Sequence, residues 1–234
     1  SKKVRTKSRR PPHPTPKNCS VSMTADESAQ MTALSYEYKN SLYLNITPRC
    51  PTACTFCIKF SWNYLYRGYN LLLKKEPSVQ EILATVENPA QYDQIVFCGY
   101  GESTYRLDAM REIAGELKKR GARHLRLNTI GLGNLINKRN IAPDLAGFLD
   151  SICISLNTLD PAKWAEIHRP LPEFREKGFD GVVEFIRECA KVMPETYVTA
   201  VEMTGLEKEQ FEQFVKKLGA KVRFRPYLDG YESS

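Results

Sequence analysis

Three cysteines stand within eight residues of one another, Cys50, Cys54 and Cys57 in CPTACTFC, a CX3CX2C spacing. Grouped thiolates on a short loop point to a metal centre rather than to a disulfide framework. Three of them can ligate three irons of a cubane [4Fe–4S] cluster and leave the fourth iron without a protein ligand. That open position separates a reactive centre from a closed, structural one. A fully ligated electron-transfer cluster wants a fourth cysteine nearby, and the loop has none. Zinc is the plain alternative. It too wants a fourth ligand, and His13, His124 and His168 are remote in sequence and show no paired ligand spacing.

Such a loop needs rigid elements to hold it. LYLNIT at Leu42–Thr47 alternates and ends in Pro48, as a strand feeding a loop should. SVQEILATVEN from Ser78 has an N-cap and helical spacing, and QIVFCGYG follows as a buried strand running into glycines. A helix over Leu107–Arg120 stops at Gly121, and His124–Thr129 is the next strand. A short helix at Pro143–Leu149 and a strand at Ser151–Asn157 come next. Asp160 before Pro161 starts a helix, because the carboxylate caps while proline presets φ. Gly181–Val192, Tyr197–Met203, Leu206–Leu218 and Lys221–Tyr227 complete the rhythm as helix, strand, helix and strand. Six strands alternating with helices argue for a parallel sheet, and six units are too few for an eight-stranded barrel. The expected fold is α/β, a partial, TIM-like (β/α)6 barrel over residues 41–234. A flat, doubly wound sheet is the alternative. Residues 1–40, rich in Ser, Thr, Pro and Lys, read as a disordered tail.

Other residues fall where β/α proteins bind ligands, at the C-terminal ends of the strands. Gly99 and Gly101 in CGYGEST would let the backbone approach a ligand closely. Ser155 and Asn157 in ISLNT share one strand face by the period of two, where both can bond a ligand's hydroxyls; the alternative is that one caps the following helix. The aromatic-rich stretch Phe60–Tyr69 is read as core and lid packing first, substrate stacking second. Cys98, Cys153 and Cys189 are read as small buried hydrophobes. His168 and Arg169 are expected at a solvated helix end, and Arg225, Tyr227 and Asp229 at the mouth of the last strand.

The cysteine spacing, with aromatic Phe56 just before the last cysteine, resembles the signature of the radical S-adenosylmethionine (SAM) superfamily, and the likeness runs from about Leu42 to Tyr227. It implies a [4Fe–4S] cluster on Cys50, Cys54 and Cys57. It further implies SAM on the open iron, and reductive cleavage of SAM to a 5′-deoxyadenosyl radical that takes hydrogen from a substrate. By position in the family's motifs, Phe56 would pack near the adenine. Gly99, Gly101 and Glu102 would hold the amino end of SAM, with Ser103 standing where the family usually has proline. Ser155 and Asn157 would bond the ribose, Glu202 would contact the ribose or SAM, and Asn128, with Thr129, would line the pocket. Within the superfamily the chain is most similar to the TatD-associated radical SAM proteins. That implies an electron donor such as flavodoxin or ferredoxin, and a TatD-type hydrolase as partner.

Composition narrows the setting. The 234 residues are 42% hydrophobic and 26% charged, near the average for soluble globular chains. No apolar run approaches the roughly 20 residues of a membrane span, and seven cysteines with a metal-like grouping suit a reducing cytoplasm. The formal charge is +7, and six positive charges sit in the first ten residues. A nucleic-acid partner therefore rests on the tail. Two other functions stay open at this stage: an iron–sulfur redox sensor or electron carrier without SAM chemistry, and a nucleic-acid module with a structural cluster.

Overall fold

The computed structural model describes residues 32–202 and 206–227. It opens with β1 (Ser35–Tyr38) and β2 (Ser41–Leu44), paired antiparallel across a turn in which Lys39 adopts φ 53°. Between β2 and the next sheet strand lie α1 (Ile58–Ser61), a hairpin of β3 (Leu65–Tyr66) and β4 (Tyr69–Asn70), and α2 (Val79–Ala84). The chain then runs β5 (Gln94–Phe97), α3 (Leu107–Lys119), β6 (Leu125–Thr129), α4 (Gly133–Asn137), α5 (Ala142–Ala146) and β7 (Ser151–Ser155). It ends with α6 (Pro161–His168), α7 (Pro172–Arg175), α8 (Gly178–Val192), β8 (Thr196–Val201), α9 (Lys208–Lys217) and β9 (Lys221–Arg225).

One seven-stranded sheet carries the order β1-β2-β5-β6-β7-β8-β9, and every neighbouring pair from β2 to β9 is parallel. The fold is thus mixed α/β on a parallel sheet, as the alternation of periods predicts. The sheet begins earlier than expected: Ser35–Tyr38, read above as tail, is its antiparallel edge strand. Tyr36 is buried there, and its hydroxyl donates to the Cys98 carbonyl, 62 residues away. Four residues cannot announce such a partner by periodicity. Residues 1–31, including Cys19 and the basic run, lie outside the described residues.

Central strands are apolar on consecutive residues because both faces are covered. Ile95, Val96 and Phe97 are all buried, as are Ile152, Cys153 and Ile154. The covering helices supply apolar stripes at i, i+3, i+4, i+7: Met110, Ile113, Ala114 and Leu117 in α3, and Val182, Phe185, Ile186 and Cys189 in α8. The local signals sit where the sequence placed them. Ser78 and Glu81 form a reciprocal capping box on α2. Gly121, at φ 91°, follows α3, and its N–H and that of Ala122 close on the carbonyls of Lys118 and Leu117. Asp160 caps α6 by accepting from the Ala162 and Lys163 N–H groups at 2.8 and 3.2 Å. That cap fixes where α6 starts, and hence where its last residue, His168, arrives.

Candidate functional site

The cysteine loop leaves the C-terminal end of β2 and is clamped from two sides. On one side its backbone bonds to the end of α6: Ala53 N–H reaches the carbonyls of His168 and Arg169 at 3.1 Å, Thr55 N–H that of Ile167 at 2.8 Å, and Leu171 N–H that of Pro51 at 2.9 Å. The last carbonyls of a helix have no intrahelical donor, so the loop and the helix end satisfy each other. On the other side Glu102 N–H donates to the Arg49 carbonyl at 2.7 Å. Gly101 permits this approach, since a Cβ there would overlap the Thr47 carbonyl oxygen and lie 2.8 Å from that of Arg49.

Within the loop the Thr52 hydroxyl lies 3.5 Å from Cys50 Sγ and 3.3 Å from Cys54 Sγ. Burial pushes the Cys54 thiol up to about 12 and raises that of Cys57. Behind Cys54 stands His168, fully buried, with Nδ1 3.3 Å from the sulfur and Nε2 3.2 Å from Asn157 Nδ2. Asn157 Oδ1 accepts from Val201 N–H at 2.9 Å, which fixes its amide so that the NH2 group faces the imidazole. Nε2 therefore accepts, and the ring proton sits on Nδ1 and points at sulfur. Burial lowers the His168 pKa to about 4 against an opposing backbone hydrogen bond with Leu156, so the ring is neutral. Phe56 and Trp164 hold the ring, with centroids at 5.4 and 5.0 Å. A solvated helix end was expected for His168. The structure places it in the core instead, because α6 closes onto the cysteine loop.

Beyond the loop opens a cavity of about 510 Å³, lined by Cys54, Phe56, Cys57, Gly99, Asn128 and Ser155 among others. These predicted residues, spread over a hundred positions, meet there because successive parallel strands end on one side of the sheet. Asn128 Oδ1 is buried and has no hydrogen-bond partner among the described residues, so it presents an acceptor. Ser155 Oγ lies 3.3 Å from Thr199 Oγ1.

Four other predicted residues are placed differently. Glu102 is buried, and its carboxylate accepts from the Thr104 N–H and hydroxyl, the Thr129 hydroxyl and the Ile130 N–H, at 2.8–3.1 Å. Burial pushes its pKa up while those bonds oppose the rise. It ties the β5 turn to the β6 turn. Gly101 faces the cysteine loop rather than the cavity. Asn157, at φ 65°, has its amide committed to Val201 and His168. Glu202 is exposed and pairs with Lys208. Gly99 lines the cavity, but its missing Cβ makes room for Asn45, whose Cγ a methyl group would approach to 2.8 Å.

The radical SAM superfamily family model matches residues 44–218, three quarters of the chain. The chain belongs to the radical SAM superfamily. This is a superfamily of enzymes, and membership implies a [4Fe–4S] cluster and SAM. No curated protein sequence matches the chain. Solved structures of the same fold include SuiB of Streptococcus suis bound to S-adenosylmethionine. It is 18% identical with a TM-score of 0.53, over 80% of this chain and 38% of that one. Methylornithine synthase (PylB) is 14% identical with a TM-score of 0.54, over 80% and 53%. The FeFe-hydrogenase maturase HydG of Carboxydothermus hydrogenoformans is 17% identical with a TM-score of 0.52, over 82% and 45%. The chain thus spans only 38% to 53% of the length of these structures.

The residues present fit the cofactors that the superfamily implies. Among the described residues no group of three His, Cys, Asp or Glu side chains is already placed to hold a single metal ion. Cys50 and Cys54 stand around the Thr52 hydroxyl and Cys57 joins Cys54 in the cavity wall, three thiols on one loop that suit a cluster whose irons take one thiolate each. The adjoining cavity has the size of a small-molecule site and carries the orphaned Asn128 carbonyl. Among the described residues no helix is long and apolar enough to cross a membrane.

The sequence reading missed Arg126 and Arg223 and took His168 for a solvated helix end. It placed Arg225 and Tyr227 at the mouth of the last strand, where they could touch substrate, and they do line the cavity, while Asp229 lies outside the described residues. A signal for the arginines existed: Arg126 interrupts the apolar run LRL, and Arg223 and Arg225 alternate with Val222 and Phe224. For His168 none existed, since Cys54 is 114 residues away.

Proposed function

We propose that the protein is a radical SAM enzyme on a partial (β/α)6 barrel. It binds a [4Fe–4S] cluster through Cys50, Cys54 and Cys57, and SAM in the adjoining cavity. The observation that carries this is the cavity wall itself, where Cys54 and Cys57 stand beside Phe56, Asn128 and Ser155. A neighbour of the same fold was solved with S-adenosylmethionine bound, and we extend that ligand to this chain. When bound, the two cofactors supply one-electron cleavage of SAM to a 5′-deoxyadenosyl radical that abstracts hydrogen from a substrate. The chain's own residues do the rest. Thr52 and the His168 Nδ1–H orient two of the sulfurs, Phe56 offers an aromatic wall, and Asn128 Oδ1 and Ser155 Oγ offer polar contacts to a nucleoside. The parallel β2–β9 strands and the cysteine clamp keep these groups in register.

An external one-electron donor of the flavodoxin or ferredoxin type belongs to this reading. So do a cytoplasmic setting, membership of the TatD-associated subgroup and a TatD-type hydrolase partner, all of which rest on the resemblance of the motifs.

The test is anaerobic reconstitution with iron and sulfide, followed by reduction and electron paramagnetic resonance with and without SAM. 5′-Deoxyadenosine is assayed alongside, beside a variant with the three cysteines changed to alanine. A cluster signal perturbed by SAM, and deoxyadenosine from the wild type alone, are expected. A cluster indifferent to SAM would instead make the protein a redox carrier or sensor.

A further inference from the structure

Three guanidinium groups, Arg126, Arg223 and Arg225, line the cavity, and among the described residues no Asp or Glu lines it with them. Several arginines on the outer surface do have an acidic partner: Arg49 has Glu76, Arg139 has Asp144 and Arg187 has Glu184. Arg126 sits between Leu125 and Leu127, both fully buried against helices, so strand alternation turns it inward. It lies two residues below Asn128 on β6, about 7 Å deeper at the usual rise per residue. Only 9% of it is exposed, its Nε has no hydrogen-bond partner among the described residues, and one terminal nitrogen reaches the Tyr43 hydroxyl at 3.5 Å. An arginine cannot shed its charge, so a buried guanidinium with an unused donor and no counter-ion is incomplete as it stands.

The other two arrive from β9. Arg225 donates to Ser155 Oγ at 3.3 Å, while Arg223 reaches Cys153 Sγ at 4.0 Å and stacks on the Tyr197 ring at 4.5 Å. Both remain accessible to solvent, so a ligand can reach them. Burial pushes the Cys153 thiol up, and all three guanidiniums pull it back.

We propose that Arg126, Arg223 and Arg225 form a subsite for an oxyanionic group of the substrate, a phosphate or a carboxylate. Oxyanions match the planar fork of arginine with paired charge-assisted hydrogen bonds, and the Tyr43 hydroxyl supplies a further donor beside Arg126. Arg126 sets the floor of the subsite below the layer of Asn128, and Arg223 and Arg225 continue it along β9 as far as Ser155. Assigning the anion to the substrate rests on the radical SAM reading, in which SAM occupies the cysteine end of the cavity.

Isothermal titration of the full chain, anaerobically reconstituted with iron and sulfide, with sodium phosphate and separately with sodium acetate at fixed ionic strength tests this. Arg126→Gln and Arg225→Gln are compared with Arg187→Gln, which removes the same charge from the outer surface. The expected result is saturable binding of one probe, weakened roughly tenfold or more by either cavity variant. It should be unaffected by Arg187→Gln and by saturating SAM, and the probe that binds names the anion. Four results would overturn the proposal: no saturable binding of either probe, retention of binding in the cavity variants, an equal loss in Arg187→Gln, or displacement of the anion by SAM. The last would give the arginines to SAM's own carboxylate. If Arg126→Gln fails to fold, Arg225→Gln, on the open strand, still decides. Anion binding without any SAM binding would sink the radical SAM reading and leave the subsite standing.

Discussion

Gly101→Ala isolates the contact that seats the cysteine loop. Its φ is not left-handed, so alanine can adopt the backbone, and the whole effect is steric. The added methyl would overlap the Thr47 carbonyl oxygen and lie 2.8 Å from both the Thr47 carbonyl carbon and the Arg49 carbonyl oxygen. Overpacking typically costs about 1–3 kcal/mol when side chains can give way. Here the neighbours are backbone, fixed by Pro48 between them and by the Glu102 N–H bond to Arg49 at 2.7 Å. Straining that bond adds about 1 kcal/mol, so a loss of about 3–4 kcal/mol is expected, a drop in Tm of roughly 10 °C for a chain of this size. Gly115→Ala is the matched control. Nothing lies within 4 Å of its Cβ position in the interior of α3, and removing a helical glycine should stabilise by about 0.5–1 kcal/mol. Thermal melting of the metal-free protein reads both, and iron content after reconstitution should fall for Gly101→Ala alone. A Gly101→Ala protein that melts within about 2 °C of wild type and loads iron fully would refute the clamp.

His168→Phe keeps the aromatic contacts with Phe56 and Trp164 but strands the Asn157 amide. It should cost about 1–3 kcal/mol in denaturant unfolding. Loss of the N–H aimed at Cys54 should also make the reconstituted cluster's reduction potential more negative, and an unchanged potential would show that the imidazole only fills space. Ser78→Ala removes the reciprocal cap of α2 and should destabilise by about 1 kcal/mol with no effect on iron loading. Asp150 is a pH probe. Burial opposes its ionisation, but Lys118 and the Leu125 N–H hold its carboxyl below the usual value. Its folded pKa is therefore depressed, so its stabilisation is present above the unfolded value of about 3.9 and is lost as pH falls through the folded one. Asp150→Asn should lower the Tm at neutral pH, and the gap should close in acid; a gap independent of pH would refute the assignment.

What was legible in the sequence was local. The cysteine spacing needs only one short loop, the caps at Ser78 and Asp160 bond within three residues, and the apolar runs of β5 and β7 follow from covering both faces of a sheet. Each is a rule over neighbouring residues, so the linear chain states it. Tertiary structure decided everything that joins distant segments. It drew Ser35–Tyr38 onto the sheet edge, and it turned Gly101 toward the backbone of residues 47–49. Glu102 became a tie between two turns because Thr129 and Ile130 lie beside it across parallel strands. Asn157 was withdrawn from the cavity because Val201 and His168 claim both ends of its amide. His168 reached Cys54 because α6 has one start, one length and one place to dock. Amphipathic spacing says which face of an element is buried, but not which polar atoms it will meet there, because that depends on the register of partners a hundred residues away.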